Sequence, residues 1–216
     1  LRAHAQDKDV QQQACRALCI VCYGDGAAGW ARSQRAAEAG ALEAVVDAMR
    51  AHPQNEDVQQ QACLVLLNVC FENDAAGRAR KQRAADAGAI EAVVEALRAH
   101  AQDEDVQQRA CGALHSVCYG TDAAGRARKQ LAANAGAIEA VVVAMQAHAQ
   151  VAAVQENGCA ALVNVCGGGA SAAARARRQR AVQAGGRTVA VAAMQAHPDH
   201  AEVQEHGQQV LNLLPE

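Results

Sequence analysis

Aromatic residues and proline are scarce in this chain. Its 216 residues include one Trp, two Tyr, one Phe and three Pro, although 51% of the residues are hydrophobic. Ala, Val, Leu and Cys must therefore pack any core, and these small side chains favour closely spaced helices over a sheet. We expect an all-α protein.

The sequence also lacks a long apolar run and a strong net charge. No uncharged apolar stretch reaches the length of about 18 residues that a membrane-spanning helix needs. A formal charge of -3 gives no general attraction to nucleic acid or to an anionic membrane. The chain starts at Leu1-Arg2-Ala3-His4, which is neither an initiator Met nor a signal peptide, so we expect it to be part of a longer protein.

The nine cysteines lie inside apolar periodic segments. An odd number in such positions is typical of reduced thiols in a cytosolic or nuclear protein. A structural metal site needs four ligands; Cys15, Cys19 and Cys22 come nearest to one, but Cys19 has no counterpart later in the chain. We interpret the cysteines as small buried hydrophobic residues.

An internal repeat is the strongest pattern in the sequence. A valine followed by glutamine recurs at separations of 48, 48, 48 and 49 residues. These valines are Val10, Val58, Val106, Val154 and Val203. Glycines recur in step with them, at Gly40, Gly88, Gly136 and Gly185. A period of this size is typical of repeats that contain two or three helices.

The sequence of residues 72–119 predicts three helices, which together form one repeat unit. A short basic helix, Ala76–Ala87, ends at Gly88, a residue suited to the left-handed conformation after a helix. A second helix, Ala89–His100, carries one apolar face. After an acidic turn, a third helix is predicted over Val106–Tyr119.

Two motifs recur with these helices: A-G-A-I-E-A-V-V between the first two, and V-Q-x-x-A-C-x-x-L-x-x-V on the third. With this order of helices, the chain resembles the armadillo repeat family over essentially its whole length. The resemblance implies a single domain over residues 1–216, built as a right-handed α-solenoid of three-helix repeats. It also implies that the domain binds a protein or an extended peptide. The units are longer than a usual armadillo repeat. Their predicted bounds are a fragment 1–23 and repeats 24–71, 72–119, 120–167 and 168–214.

A stripe on each third helix lies opposite the core positions on a helical wheel. In the second unit this stripe is Gln61, Leu64, Asn68 and Phe71. Armadillo proteins use this face as a concave groove, so the resemblance implies that the stripe binds peptide. Equivalent positions complete the predicted site: Arg16, Ile20, Tyr23, Arg109, Ser116, Tyr119, Asn157 and Asn164.

The predicted groove departs from that of armadillo proteins that bind basic import signals. Those proteins carry a column of Trp and a column of Asn, whereas this stripe has no Trp, and in the asparagine column only Asn68 and Asn164 match. The pattern therefore favours a general groove for an extended peptide over an import receptor.

Three of the four aromatic residues occupy one repeat position, at Tyr23, Phe71 and Tyr119. Aromatic side chains are enriched in interfaces, which favours a place in the groove. The neighbouring glycines are equally consistent with rings that cover a helix end as an outlying part of the core. The sequence leaves both interpretations open.

Basic residues concentrate on the first helices. A column of them could bind a polyanion or nucleic acid. The alternative, which the sequence favours, is a solvated surface on which neighbouring repeats pair acid with base. Nucleic acid is disfavoured further because, apart from Trp30, no aromatic residue alternates with the arginines. The candidate polyanion site is Arg78, Arg80, Lys81, Arg126, Arg128, Lys129, Arg175, Arg177 and Arg178.

No motif indicates catalysis or a cofactor. Cys111 and His115 have the spacing of a nucleophile and a base on one helix, but no orienting acid or amide is nearby in the sequence, and the pair occurs once. The histidines that recur near the ends of the second helices are interpreted as helix caps: His4, His52, His100, His148 and His197. We expect a binding protein with no enzymatic activity and no cofactor.

The end of the chain carries Leu211, Leu213 and Leu214 with no obvious cover. Because stacked repeats need polar caps, we expect either that the terminal units associate end to end with neighbouring chains or that residues outside this sequence supply the caps.

Overall fold

A computed structural model describes residues 2–24 and 26–215, which form α-helices and no strands. Three residues lie outside the described part of the chain: Leu1 of the predicted fragment 1–23, Asp25 of the predicted repeat 24–71, and Glu216 at the chain end. The described helices follow a 3-10 helix at Arg2–His4 and are α1 Lys8–Cys22, α2 Gly26–Glu38, α3 Ala41–Ala51, α4 Glu56–Val69, α5 Ala75–Asp86, α6 Ala89–Ala99, α7 Glu104–Cys118, α8 Ala123–Ala135, α9 Ala137–Ala147, α10 Ala152–Cys166, α11 Ala172–Gln183, α12 Gly186–Ala196 and α13 Ala201–Leu213. The predicted all-α class is confirmed.

The helices recur in threes and pack in chain order. The long helices α1, α4, α7, α10 and α13 lie side by side, each against the next. The helices α3, α6, α9 and α12 form a second row, and α2, α5, α8 and α11 form a third. We call the α1–α4–α7–α10–α13 set the long-helix row.

The predicted helix bounds within residues 72–119 agree with the structure to within two residues. The three helices are Ala75–Asp86, Ala89–Ala99 and Glu104–Cys118. Gly88 adopts the left-handed conformation, with φ 86°, at the corner between the first two. A residue with a Cβ would be strained at this corner, which explains why a glycine recurs there.

The core lies between the rows and consists of small aliphatic side chains and cysteines. On α4, Val58, Val65, Leu66 and Val69 are all fully buried, as the helical wheel predicts. Each fully buried Val or Leu contributes about 1.5–3 kcal/mol to stability. This burial fixes which side of each long helix faces the core and which side remains for solvent.

The glutamine that follows each repeated valine binds the end of the preceding helix, and it is buried in every case except Gln204, which is half-buried. Gln107 is 1% exposed, and its Nε2 donates to the carbonyls of Leu97 at 2.9 Å and His100 at 2.8 Å. These carbonyls belong to the end of α6, where no helical N–H can reach them. Gln59, Gln155 and Gln204 make the equivalent bonds. The V-Q motif therefore joins the helices within each unit.

The histidines at the ends of α3, α6, α9 and α12 are C-caps, as predicted. Each also contacts the preceding unit, because its Nε2 lies within hydrogen-bonding distance of a carbonyl about one period earlier in the chain. These pairs are His52 with Ala5 at 2.7 Å, and His100 with Pro53, His148 with Ala101 and His197 with Ala149, each at 2.9 Å. Each capping histidine therefore also forms a hydrogen bond between neighbouring units.

The last leucines are better covered than the sequence indicates. Leu214 is 3% exposed, while Leu211 and Leu213 are half-buried. Arg187 on α12 donates to the carbonyl oxygens of Leu211 at 2.9 Å and Leu214 at 2.7 Å. The expectation that these leucines lack cover is wrong, because α12 folds back against the final turn. End-to-end association stays a prediction.

We predict that replacing Gln107 with Leu lowers the free energy of unfolding by about 2–4 kcal/mol, since each buried carbonyl left without a donor costs about 1–3 kcal/mol. Chemical denaturation measures this loss. The matched control is Gln108→Leu at the adjacent half-buried position, which should cost less than about 1 kcal/mol. Equal effects of the two substitutions would contradict the role assigned to the V-Q glutamine.

Candidate functional site

The long-helix row presents a stripe away from the core. On α4, Gln61, Leu64 and Asn68 are half-buried, and Phe71, just beyond the helix, is 62% exposed. On α1, Arg16 is exposed and Ile20 is 69% exposed. Because the five helices lie side by side, these positions adjoin from one unit to the next. The structure therefore places this part of the predicted site on one continuous surface.

The aromatic residues Tyr23, Phe71 and Tyr119 are all exposed, by 75%, 62% and 42%. We call these three residues the aromatic ladder. Tyr23 and Tyr119 are the C-cap residues of α1 and α7, and both have an extended backbone that directs the chain away from the helix. The interpretation of the rings as part of the core is wrong, since large fractions of all three face solvent.

Trp30 on α2 is 43% exposed and joins the aromatic ladder at two cavities. A cavity of about 160 Å³ lies among Tyr23, Trp30 and Phe71. A second, of about 350 Å³, lies among Trp30, Phe71 and Tyr119 and also contacts Ser116. Trp30 and Phe71 form walls of both. The two cavities therefore follow one another across the ends of α1, α4 and α7.

Ser116 and Asn164, predicted to face the groove, are buried, with exposures of 2% and 8%. The Nδ2 atom of Asn164 lies 2.9 Å from His115 Nδ1 and donates to the His115 carbonyl at 2.8 Å. The prediction that these two side chains are exposed is wrong. The reason is the close approach of the helices around Gly112, where an added Cβ would lie 2.5 Å from Leu67 Cδ1.

Among the described residues of the stripe, three polar groups are buried without a hydrogen-bond partner. They are Nη1 of Arg109 and Oγ of Ser116 on α7, and Nδ1 of His206 on α13. Between them in the row, the side chain of Asn157 donates to the Ala153 carbonyl of its own helix at 2.8 Å. Buried polar groups without hydrogen-bond partners are uncommon in proteins, and atoms buried this deeply are not accessible to a peptide bound on the surface.

The basic residues predicted to form a ladder are partly structural. Arg80, Arg128 and Arg177 are only 2–3% exposed. Arg128 donates from Nε to the Val117 carbonyl at 2.8 Å, from Nη2 to the Tyr119 carbonyl at 3.0 Å and from Nη1 to Gln82 Oε1 at 3.0 Å. Each of the three thus binds the end of a long helix and a glutamine of the preceding unit. The prediction that they face solvent is wrong.

Two lysines of the predicted ladder are buried as well. Lys81 is 0% exposed, and its Nζ donates to the Glu72 carbonyl at 2.5 Å and lies 5.0 Å from the centre of the Tyr119 ring. Burial lowers the pKa of Lys81 to about 8. Lys129 is 4% exposed, and burial lowers its pKa too. Both ammonium groups contribute to packing and cannot meet a polyanion in this arrangement.

Arg78, Arg126 and Arg175 remain exposed. Each donates to a carbonyl of the loop that precedes its own helix, namely those of Asn73, Thr121 and Ala170. Arg78 also lies 3.8 Å from Asp122 of the next unit, an acid–base pair between neighbours of the kind that the sequence favours. Arg178 is half-buried and donates to the carbonyls of Cys166 and Gly169. Four of the nine candidate polyanion residues thus retain some exposure.

All nine cysteines are free and buried, which confirms their interpretation as packing residues. Burial raises the pKa of the Cys70 and Cys118 thiols to about 12. Within residues 2–24 and 26–215, His, Cys, Asp and Glu side chains do not gather in groups of three or more that could hold a metal ion.

The buried glutamines and arginines are the residues whose roles the sequence interpretation missed. Their signal was present, because Gln59 and Gln107, like Arg80 and Arg128, recur with the repeat period. A polar residue that recurs at one repeat position can therefore indicate a buried hydrogen bond, and not only a column of residues on the surface.

Comparison with known proteins assigns no family to the chain, since no protein-family model matches it and no curated protein matches it. In the part of the chain that the structure describes, no helix has both the length and the apolar character needed to cross a bilayer. The armadillo resemblance therefore remains a prediction from the repeat pattern, and the function is inferred from the geometry above.

We predict that Arg128→Met lowers the free energy of unfolding by about 3 kcal/mol or more, since hydrogen bonds from charged groups are worth about 1.5–3 kcal/mol each and several buried acceptors lose their donor. Denaturant unfolding measures the loss. Arg126→Met, two residues earlier on the exposed side of α8, is the control and should cost less than about 1 kcal/mol. A comparable loss in the control would show that Arg128 is not a special position.

We predict that the nine thiols react slowly with an aromatic disulfide reagent at pH 8 and rapidly once the chain is unfolded in guanidinium. The thiolate is the reacting form, and both burial and the raised pKa values suppress it in the folded chain. The release of the coloured thiol product, followed over time, measures the difference. Rapid reaction of most thiols in the folded chain would contradict their burial.

Proposed function

We propose that this chain is a right-handed armadillo-type α-solenoid that binds a partner protein, through an extended peptide segment, along the outward stripe of the long-helix row. The supporting observation is the row of five packed long helices, on which outward positions such as Ile20, Leu64 and Phe71 remain exposed or half-buried. Such a surface offers apolar contacts on neighbouring units.

The dimensions of the row suit an extended chain. Packed helices lie about 8–10 Å apart, and an extended peptide advances about 3.3 Å per residue. A bound peptide would therefore meet a new helix every two or three residues. Asn68, which is half-buried on the stripe, can both donate to and accept from a peptide bond.

The affinity of the site comes mainly from apolar contact. A single net hydrogen bond contributes only about 1 kcal/mol, whereas aromatic anchors dominate many interfaces. Ile20, Leu64 and the aromatic ladder supply the apolar area.

Polyanion binding is the weaker candidate. Five of its nine predicted residues are buried with 0–4% exposure. The side chains of Arg78, Arg126 and Arg175 already bind carbonyls of their own loops. Fewer than half of the nine candidate residues therefore remain accessible to phosphates, so protein binding is the function that the geometry supports best.

We predict that peptides selected from a random library on the wild-type chain bind Leu64→Glu at least about tenfold more weakly, since a carboxylate at the centre of the stripe must be desolvated when the peptide binds. Isothermal titration calorimetry measures the affinities. The control is Val191→Glu, which places the same charge at an exposed valine on α12. If both variants bind like the wild type, the stripe is not the site; melting temperatures within a few degrees of the wild type confirm that both variants are folded.

A further inference from the structure

The two cavities beside the aromatic ladder occupy successive grooves between long helices. The smaller lies between the ends of α1 and α4, and the larger between the ends of α4 and α7. Phe71 separates them and forms a wall of each. A single peptide that crosses the row at this edge therefore meets both cavities in order.

The charges around the cavities favour an uncharged ligand. Glu72 contacts both cavities, but its carboxylate lies 3.0 Å from Arg80 Nη2. The ammonium of Lys81 already occupies one face of the Tyr119 ring. Glu72 is the one charged side chain among the described residues that line the two cavities, and Arg80 neutralises it, so neither a cationic nor an anionic side chain of a ligand would meet an unpaired opposite charge there. The electrostatic match is therefore to a neutral segment.

The usual spacing of packed helices distinguishes two backbone conformations for a ligand that crosses the row. Adjacent helices lie about 8–10 Å apart. Side chains on one face of a β-strand repeat every second residue, or about 6.6–6.8 Å. In a polyproline II helix they repeat every third residue, or about 9.3 Å. The polyproline II repeat fits the spacing of successive grooves, and the strand repeat does not.

The exposed donors match the acceptors of such a ligand. A proline-rich backbone offers carbonyl oxygens and few N–H groups. Tyr23, Trp30 and Tyr119 line the two cavities, and each side chain carries a hydrogen-bond donor, which is a phenol O–H or an indole N–H. Aromatic walls that carry such donors are a surface on which proline rings pack well.

We propose that the aromatic ladder and Trp30 bind a proline-rich segment in the polyproline II conformation, with side chains three residues apart in the two cavities. This inference rests on the proposed peptide-binding function and specifies its ligand. It places the proline-rich segment at the edge of the stripe, across the ends of α1, α4 and α7.

The test uses Trp30, the single tryptophan of the chain, as a reporter of the cavities. The probe is an oligoproline of about ten residues, or about three turns of polyproline II helix, made from l-proline and, as a control, from d-proline. The two probes have the same composition but opposite helical hands. We expect a saturable change in Trp30 fluorescence with the l-peptide and binding at least about tenfold weaker with the d-peptide.

Two variants locate the binding. Phe71→Ala removes a wall shared by both cavities and should weaken l-oligoproline binding about tenfold or more, whereas Val143→Ala, at a 53% exposed valine on α9, should change it less than about twofold. Tyr119→Phe removes only the phenol hydroxyl and should weaken binding severalfold even if Phe71→Ala proves unstable.

Equal binding of the two enantiomers, or l-oligoproline binding that Phe71→Ala and Tyr119→Phe both leave unchanged, would overturn the inference. Absence of oligoproline binding would also overturn it. If library-selected peptides still bind the stripe in that case and depend on Leu64, the proposed function stands without the polyproline ligand. If those peptides fail as well, both are rejected.

Discussion

The backbone carbonyl groups at helix ends set the central constraint on this molecule. A chain of short helices has many such ends, and each leaves carbonyls that no helical N–H can reach. Where these ends are buried, side chains must supply the donors. Gln107 does so for α6, Arg128 for α7, and His100 reaches a carbonyl of the preceding unit. These polar residues are consequently as much a part of the interior as the valines.

This constraint also determines how the aromatic ladder is presented. The guanidinium of Arg128 holds the carbonyl of Tyr119, and Arg32 holds that of Tyr23 at 2.8 Å. Because an arginine holds the backbone carbonyl of each tyrosine, the ring of the same residue remains exposed to solvent. The two arginines, of which Arg128 is buried and Arg32 is exposed, therefore help to position the rings of Tyr119 and Tyr23 through their backbone. The basic column and the aromatic column of the sequence are two parts of one local arrangement.

Much of the fold could be predicted from the sequence because it depends on local patterns. The repeat period, the glycine corner at Gly88 and the apolar face that contains Val58 and Leu66 specify helix bounds and core positions. The aromatic ladder could be located on the repeat but not assigned to surface or core, because helical periodicity does not report what covers a helix end.

Other features depend on distances between helices, which a single sequence does not give. Arg126 and Arg128 lie two residues apart on a basic helix, yet the first is exposed and the second is 2% exposed. Which one is buried depends on how closely α8 approaches the end of α7. Ser116 and Asn164 lie on the outward side of the wheel, but the close contact at Gly112 brings neighbouring helices together and covers them. A helical wheel shows how residues are oriented on one helix, but it does not show how closely the neighbouring helix packs against them.

The bonds between units have a consequence for how the chain loses structure. Among the described residues, the hydrogen bonds that join different units connect residues 9 to 49 positions apart, which is about one period or less. Such nearest-neighbour coupling gives a low contact order and lets cooperativity decay along the chain. Fraying should therefore begin at a terminal unit and advance one unit at a time, so that the central grooves beside α4 and α7 are the last to open.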